Sequence, residues 1–346
     1  MKTRVICTLG PASETVDQIK ALIKAGMNVA RINRSHNPIE HAHKTMLNVR
    51  KAAKEAKANT ILMLDTKGPD VRIGFFKGDI AEVKEGQAFT IDCDPKHEKE
   101  LGDHSHVFAN HAGLPKLVKK GQELRLNDGM VIMTVTGTTA TEVKAKVVIG
   151  GTLKNRKSLA VPGCDLKLPF ISELDEADIA DACTIGIDWI AASFTSTVQD
   201  VKDMRALLKK HGGEKVKIIS KIESRFGVEN FDGILKESDG IMVARGDLGV
   251  EFEVHEIPAL QKMIVEKTKK AGKTIVVATE MMESMIEKPR PTRAEVSDVA
   301  NAVWDGADLV MLSGETAAGR FPIRVVEYMC RAAAHAEKFP QYYRVK

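Results

Sequence analysis

The stretch of sequence that decides the fold runs from residue 216 to residue 247 and reads VKIISKIESRFGVENFDGILKESDGIMVARGD. It holds two short apolar runs, Val216–Ile219 and Ile241–Ala244, on either side of a helical pattern at Gly227–Lys236. Short apolar runs that end in polar clusters are typical of buried strands. Because a strand, a helix and a strand in this order form a parallel pair with a right-handed crossover, the stretch predicts one unit of an α/β fold.

The same alternation recurs along the whole chain and predicts eight parallel strands, enough to close an α/β (β/α)8 TIM barrel. We expect the strands at Val5–Leu9, Val29–Ile32, Ile61–Leu64, Ile187–Ala192, Val216–Ile219, Ile241–Ala244, Thr274–Ala278 and Leu309–Leu312. The helical patterns are Ser13–Ala25 (with Ser13 as its N-cap), Pro38–Ala56, Glu173–Thr184, Val198–Lys210, Gly227–Lys236, Glu256–Ala271, Thr292–Trp304 and Ile323–Glu337. Each apolar run ends in a polar or glycine-rich cluster, at the edge where a parallel barrel places its active site.

One connection departs from this rhythm, because residues 70–168 contain no long helical pattern. Turn signals such as Asn127-Asp128-Gly129 and Gly150-Gly151 separate short alternating runs there. Those runs are Phe89–Ile91, Glu123–Leu126, Val131–Val135, Val143–Val148 and Ser158–Val161. Without this insertion about 250 residues remain, the usual size of a TIM barrel. We therefore predict a barrel domain at 1–69 and 169–346, and a small β domain at 70–168, inserted after the third barrel strand.

Composition excludes several classes of protein. The 346 residues have a formal net charge of +4, without the long basic block that binds nucleic acid. The five cysteines are odd in number and form no Cys-x-x-Cys pair, which argues against a disulfide framework or a cysteine zinc site and for a reducing compartment. The first apolar run is too short for a signal peptide, and no run approaches membrane-spanning length. We expect a cytoplasmic protein that binds neither nucleic acid nor membrane.

Two carboxylates follow the neighbouring fifth and sixth strands. Glu223 lies two residues past Lys221, so the two side chains point to the same side of an extended chain, and Asp247 follows the next strand. Two carboxylates beside a lysine fit a Mg²⁺ site that keeps positions for substrate oxygens and water, but a salt bridge at the barrel rim fits them equally well. Gly246 lets backbone amides approach a carboxylate closely, unless the loop is tight and binds nothing.

Four oxygen-bearing residues end the second and third strands: Asn33, Ser35, Asp65 and Thr66. A set of oxygen ligands with a single carboxylate favours a monovalent cation such as K⁺ over a divalent one. Arg31 and Arg72 could each bind a phosphate through two hydrogen bonds. A buried polar network that ties the two strands together is the competing interpretation.

Hydroxyl side chains end the seventh and eighth strands at Thr279 and Ser313, where they could pass a proton or merely cap helices. Histidines gather in the inserted domain at His97, His104, His106 and His111. A His-x-His pair can bind a transition metal. An exposed polar loop explains the histidines better, because nothing fixes a third ligand.

Several longer strings resemble the pyruvate kinase family. They are Cys-Thr-Leu-Gly-Pro-Ala-Ser at 7–13, Gly-Met-Asn-Val-Ala-Arg-Ile-Asn at 26–33, Leu-Asp-Thr-Lys-Gly-Pro at 64–69, Ser-Lys-Ile-Glu at 220–223, Ser-Asp-Gly-Ile-Met-Val-Ala-Arg-Gly-Asp-Leu-Gly-Val-Glu at 238–251, Lys-Pro-Arg-Pro-Thr-Arg-Ala-Glu at 288–295 and Met-Leu-Ser-Gly-Glu-Thr-Ala at 311–317. The resemblance covers essentially the whole chain and is most specific from 218 to 320. It implies phosphoryl transfer from phosphoenolpyruvate to ADP, giving pyruvate and ATP, with Mg²⁺ (or Mn²⁺) and K⁺ as cofactors.

The family's roles transfer onto matching positions of this chain. Lys221, Arg31 and Arg72 would stabilise the transferring phosphoryl group, and Glu223 and Asp247 would hold the divalent ion. The substrate site would comprise Gly246, Asp247, Thr279 and Ser193. The K⁺ ligands would be Asn33, Ser35, Asp65 and Thr66. The nucleotide site would comprise Pro11, His36, Asp128 and Lys157. Thr279 and Ser313 would take part, through water, in protonating the enolpyruvate. The inserted domain at 70–168 would be a small β-barrel-like lid domain that excludes water from the catalytic barrel during the reaction.

Three residues depart from the family's usual pattern: Arg34 replaces Phe, Glu280 replaces Gln and Asp70 replaces Glu. The added guanidinium of Arg34 would bind phosphate or weaken the K⁺ site by repulsion. Glu280 would pair with Arg34 or another cation, or raise the local negative charge. Asp70 retains the acidic group that accompanies K⁺ dependence in the family.

The chain stops after the eighth helix, so we expect the family's C-terminal regulatory domain and its effector site to be absent. The barrel face at Arg245–Glu251 and Arg290–Glu295 matches a subunit interface of the family and predicts a homodimer. Two other functions compete with pyruvate kinase activity. One is a degenerate, non-catalytic protein that binds phosphoenolpyruvate, and the other is a Mg²⁺-dependent lyase on pyruvate-like acids, which would need neither ADP nor so large an insertion.

Overall fold

The computed structural model describes residues 2–35 and 38–344. Its strands are β1 (Arg4–Thr8), β2 (Met27–Asn33), β3 (Ile61–Asp65), β4 (Ile80–Val83), β5 (Ala88–Asp92), β6 (His106–Phe108), β7 (Glu123–Leu126), β8 (Val131–Thr138), β9 (Glu142–Ile149), β10 (Gly151–Lys154), β11 (Leu159–Ala160), β12 (Trp189–Ala192), β13 (Lys217–Ile222), β14 (Gly240–Ala244), β15 (Thr274–Ala278) and β16 (Leu309–Leu312). Its α-helices are α1 (Val16–Ala25), α2 (Ile39–Glu55), α3 (Leu114–Leu117), α4 (Glu173–Ile185), α5 (Val198–Lys210), α6 (Arg225–Glu229), α7 (Phe231–Glu237), α8 (Arg245–Glu251), α9 (Ile257–Lys270), α10 (Arg293–Asp305), α11 (Gly314–Ala317) and α12 (Pro322–Ala336).

The first of two compact units comprises the described residues within Met1–Gly68, Phe170–Arg245 and Glu256–Lys346. Its eight strands close a barrel in the order β1-β16-β15-β14-β13-β12-β3-β2, and all neighbours run parallel. Buried side chains from these strands fill the interior, as in other parallel barrels. The predicted TIM barrel is therefore confirmed, and the carboxyl ends of its strands lie at one edge.

Two helix predictions were wrong in detail. The first helix begins at Val16 with Thr15 as its N-cap in a reciprocal capping box with Gln18, whereas Ser13 is fully buried and its Oγ accepts from the amide of Gly10. The helix expected at Gly227–Lys236 is two helices, because Ser224 caps α6 and the chain turns out of helical geometry at Asn230.

The second unit comprises Pro69–Pro169 and Gly246–His255. It holds a two-stranded antiparallel sheet, β10-β4, and a six-stranded sheet in the order β11-β7-β8-β9-β5-β6, in which only β5 and β6 pair in parallel. Both sheets contribute side chains to one apolar core. The predicted β domain after the third barrel strand is confirmed, while its proposed bounds and its role as a lid stay predictions.

The sequence analysis did not predict three strands of this unit, β4, β6 and β10. β6 has only three residues, too few to show an alternating pattern. β10 begins at Gly151, where the sequence predicted a turn, because the amide and carbonyl groups of residues 151–154 pair with β4. In the part of the chain that the structure describes, no helix combines the length and apolar character needed to cross a bilayer.

Candidate active site

A buried cluster of opposite charges occupies the carboxyl ends of β2, β3 and β13. The Asp65 carboxylate is 1% exposed and receives Arg31 Nε at 2.6 Å on Oδ2 and Lys221 Nζ at 3.0 Å on Oδ1. Lys221 Nζ also lies 2.9 Å from Glu223 Oε1. Two cations and two anions thus offset each other where water is excluded. Burial opposes the charge of Asp65, but Arg31 and Lys221 outweigh it and hold the Asp65 pKa below its usual range.

Hydroxyl groups fix the Lys221 ammonium within this cluster. Lys221 Nζ donates to Ser193 Oγ at 2.8 Å, and Ser193 Oγ donates to the carbonyl of Thr66 at 2.7 Å. The Ser193 amide in turn donates to Thr66 Oγ1 at 3.0 Å. Serine after the fourth barrel strand and threonine after the third therefore set the position of a lysine from the fifth.

Glu223 is held from its other side by a strained residue. Phe194 follows β12 with a φ of 54°, a left-handed conformation that is unfavourable for a bulky side chain, and its amide donates to Glu223 Oε2 at 2.5 Å. The Glu223 carboxylate is 1% exposed and so has a cation on one oxygen and a backbone donor on the other. Backbone strain of this kind persists where the surrounding structure over-determines it, commonly at functional sites.

A second strained turn follows β15. Thr279 and Glu280 have φ values of 69° and 52°, and a β-branched residue such as threonine is rare in this region. The Arg245 guanidinium donates to the Thr279 carbonyl at 2.6 and 3.3 Å and to the Glu280 carbonyl at 3.3 Å. Asp298 Oδ1, at 2.7 Å, holds the guanidinium in place. The sequence analysis missed this clamp, whose only signal was an arginine directly after a strand.

Ser313 ends β16 beside a buried carboxylate. Glu315 is 0% exposed; its Oε2 accepts from the Ser313 amide at 2.6 Å and its Oε1 from the Met282 amide at 3.1 Å. Burial raises the Glu315 pKa above its ordinary value despite these bonds. Among the described residues, the buried Ser313 Oγ has no hydrogen-bond partner. A buried hydroxyl without a partner marks a place where a bound group or a water completes the bonding.

The four predicted K⁺ ligands lie in the first unit, Asn33 and Asp65 at the ends of the paired strands β2 and β3, and Ser35 and Thr66 just past those ends. Asn33 lies opposite Asp65 in the β2–β3 register, and its Oδ1 accepts from the Ser35 amide at 3.1 Å. Arg34 turns to another partner, since its guanidinium donates to Asp178 Oδ1 at 2.7 Å and both side chains are 7% exposed. Burial raises the Asp178 pKa even though Arg34 opposes this.

The predicted site residues are distributed over both units. Six predicted site residues come together in the first unit: Arg31, Asp65, Thr66, Ser193, Lys221 and Glu223. Arg72, Asp128, Lys157, Gly246 and Asp247 belong to the second unit, and Pro11 follows β1 in the first. Gly246 and Asp247 lie in the first turn of α8, just past β14. His36 lies outside the described residues.

Local hydrogen bonds orient two predicted site residues of the second unit, Arg72 and Asp128. Arg72 Nε donates to Asp70 Oδ2 at 2.5 Å, and its Nη1 donates to the Arg156 carbonyl at 3.0 Å. Asp128, in a left-handed turn with a φ of 56°, exchanges hydrogen bonds with Ser158. In the described part of the chain, the inserted domain included, no group of three or more His, Cys, Asp or Glu side chains is placed to hold a metal ion.

Comparison with known proteins shows the family to which the chain belongs. The family model described as "Pyruvate kinase, barrel domain" matches residues 1–326. A crystal structure of a pyruvate kinase from Cryptosporidium parvum superimposes with a TM-score of 0.91 at 44% identity, covering 97% of this chain and 69% of the other.

Curated relatives of the chain are also pyruvate kinases. A pyruvate kinase of Clostridium perfringens is 43% identical over 338 residues, which are 97% of this chain and 70% of the relative. A pyruvate kinase of Geobacillus stearothermophilus is 44% identical over 339 residues, 97% of this chain and 57% of the relative. The chain thus spans between 57% and 72% of the length of eight curated pyruvate kinases. The chain belongs to the pyruvate kinase family.

Proposed function

We propose that this chain catalyses transfer of the phosphoryl group of phosphoenolpyruvate to ADP, giving pyruvate and ATP. The observation that carries the proposal is the position of Lys221. Its ammonium is 9% exposed and bound by Asp65, Glu223 and Ser193 at the barrel edge. A fixed ammonium in a water-poor site stabilises negative charge that develops during transfer, and needs little reorganisation to do so.

Arg31 and Arg72 supply the other positive charge for the phosphoryl oxygens. Arg31 is 7% exposed and is oriented by Asp65 Oδ2 and by Thr8 Oγ1, the latter at 2.8 Å. Its Nε and one terminal nitrogen are thereby used, so the guanidinium presents its remaining edge to a ligand. Arg72, oriented by Asp70, contributes from the second unit.

Glu223 and Asp247 would hold a divalent cation. Both side chains offer carboxylate oxygens, the donors that Mg²⁺ and Mn²⁺ prefer, and two protein ligands leave coordination positions for substrate oxygens. Glu223 follows Ile222, which pairs with Val243 across β13 and β14, and Asp247 follows β14. When bound, the ion would neutralise charge on the enolate and phosphoryl oxygens.

The oxygen donors of Asn33, Ser35, Asp65 and Thr66 fit K⁺. They are an amide, two hydroxyls and one carboxylate, and Asp65 already binds two cationic side chains. A site with so little uncompensated negative charge suits a monovalent ion better than a divalent one. We infer that K⁺ dependence accompanies activity.

The substrate carboxylate would lie against the amides of Gly246 and Asp247, beside Thr279 and Ser193. The enolpyruvate carbon must then gain a proton, and Thr279 and Ser313 would deliver it through water. The buried Ser313 Oγ, which lacks a partner in the described parts of the chain, supports this assignment. Pro11, His36, Asp128 and Lys157 would bind the nucleotide, and a homodimer would use the face at Arg245–Glu251 and Arg290–Glu295.

A coupled assay for pyruvate tests the proposal. The chain should turn over with phosphoenolpyruvate, ADP, Mg²⁺ and K⁺, and Lys221→Met should abolish turnover because the ammonium is lost. Lys217→Met, an exposed lysine at the start of the same strand, is the matched control and should keep wild-type activity. Phosphoenolpyruvate binding without turnover would indicate a degenerate binding protein, and cleavage of a keto acid without ADP would indicate a lyase.

A further inference from the structure

The segment that carries Gly246 and Asp247 has its own anchor within the second unit. Residues 246–255 belong to this unit together with β7, which contributes Arg125. Arg125 is 9% exposed, and its guanidinium contacts residues 249–253 of the segment. A buried arginine directed at backbone groups needs an explanation, because desolvation of its charge is costly unless its donors are bonded.

The bonds of Arg125 converge on the end of α8. Its Nη1 lies 3.4, 3.1 and 3.1 Å from the carbonyl oxygens of Gly249, Val250 and Phe252. Gly249 and Val250 lie in the last turn of α8, where carbonyls lack partners inside the helix, and Phe252 follows the helix directly. A cation at this end also complements the helix dipole. Arg125 therefore caps the short helix whose first turn contains Asp247.

Two carboxylates fix the guanidinium itself. Arg125 Nε donates to Glu123 Oε1 at 2.5 Å on the same strand, and Nη2 donates to Glu253 Oε1 at 2.7 Å. Burial disfavours the charged form, but these carboxylates outweigh it and raise the Arg125 pKa. Arg125 thus spans β7, the carbonyls of α8 and the residues after it. A lysine, with one compact charge, cannot hold all of these positions together.

We propose that Arg125 is a positioning residue for the metal-binding carboxylate of Asp247. The inference rests on the proposed function, in which Asp247 is a ligand of the divalent ion. α8 has seven residues, so Asp247 lies about 6 Å along the helix axis from its last residue. A helix this short is marginal by itself, so a cap at one end controls whether the other end stays ordered.

Metal binding measured without catalysis tests the inference. The Mn²⁺ dissociation constant is titrated from the electron paramagnetic resonance signal of free Mn²⁺ at fixed KCl, and the melting temperature is recorded alongside. Arg125→Met should weaken Mn²⁺ binding about 10-fold or more, the usual effect of losing a group that orients a ligand. Arg125→Lys should recover part of the loss. Lys146→Met removes one exposed charge from the same sheet and should change neither value.

Asp247→Asn separates the inference from the proposed function on which it rests. Unchanged Mn²⁺ binding in Asp247→Asn would overturn the metal site itself. Weakened binding in Asp247→Asn with unchanged binding in Arg125→Met would overturn only the role of Arg125, even if Arg125→Met melts at a lower temperature. If Arg125→Met does not fold, Glu253→Gln decides in its place: weaker Mn²⁺ binding supports the inference, and wild-type binding overturns it.

Discussion

The clamp that Arg245 forms on the turn after β15 gives a quantitative prediction for Arg245→Lys. Thr279 and Glu280 have left-handed backbones, which together cost about 2–6 kcal/mol. The guanidinium bonds to their carbonyls offset this cost, at about 1.5–3 kcal/mol for each bond to a charged donor. A single ammonium cannot reach both carbonyls and Asp298 together, so roughly one such bond is lost.

Loss of one bond lets the turn relax and moves the Thr279 hydroxyl from its position. Since about 1.4 kcal/mol corresponds to a tenfold change in rate, kcat for pyruvate formation should fall about 10- to 100-fold. The KM for ADP should stay within a factor of two or so. Arg205→Lys is the matched control, because Arg205 also bonds a carboxylate and a carbonyl in the first unit, at Asp239 and Val216. A wild-type kcat in folded Arg245→Lys, or an equal loss in Arg205→Lys, would refute the reasoning.

Three further predictions concern charge and proton transfer. Asp65→Asn should melt at a lower temperature than the wild type at pH 7, because a carboxyl whose pKa is depressed in the folded state stabilises the fold above its unfolded pKa. This contribution is lost as the pH falls through the folded-state pKa, so the difference in melting temperature should close only below about pH 4. A constant difference down to pH 2 would contradict this. Arg34→Phe leaves Asp178 buried without its cation and should cost about 3–5 kcal/mol in denaturant unfolding, with Asp178→Leu restoring most of it in the double variant. Ser313→Ala should slow exchange of pyruvate methyl protons with solvent by at least about 10-fold, with phosphoenolpyruvate affinity retained; an unchanged exchange rate would remove Ser313 from the proton path.

Most of the fold could be predicted because the strand signal is local. A barrel strand buried on both faces is a short apolar run, and all eight expected runs overlap observed strands. The errors fall where geometry depends on single residues. Thr15 rather than Ser13 caps α1, Asn230 divides α6 from α7, and Gly151 starts a strand whose partner is about seventy residues away in sequence.

The candidate site could likewise be predicted only in part. Parallel strands bring their ends together, so a site at this edge and the proximity of Lys221 and Glu223 could be expected. The ion pair between Asp65 and Lys221 was not predicted, because β12 lies between their strands and Asp65 was assigned only to the K⁺ site. The directions of Arg34, Arg125 and Arg245 could not, because a long flexible side chain can reach several partners and the choice depends on distant elements. Arg34 was expected to bind phosphate or repel K⁺, and the observed partner is Asp178 on α4.

The fate of the phosphoryl group tests the central claim most directly. Phosphorus NMR of the wild-type chain with phosphoenolpyruvate, ADP, Mg²⁺ and K⁺ follows that group from its source to its acceptor. We predict that the phosphoenolpyruvate resonance decays as the γ-phosphate resonance of ATP grows in equal amount, and that neither changes with Lys221→Met. Growth of inorganic phosphate instead of ATP, or an unchanged spectrum for the wild-type chain, would contradict the account.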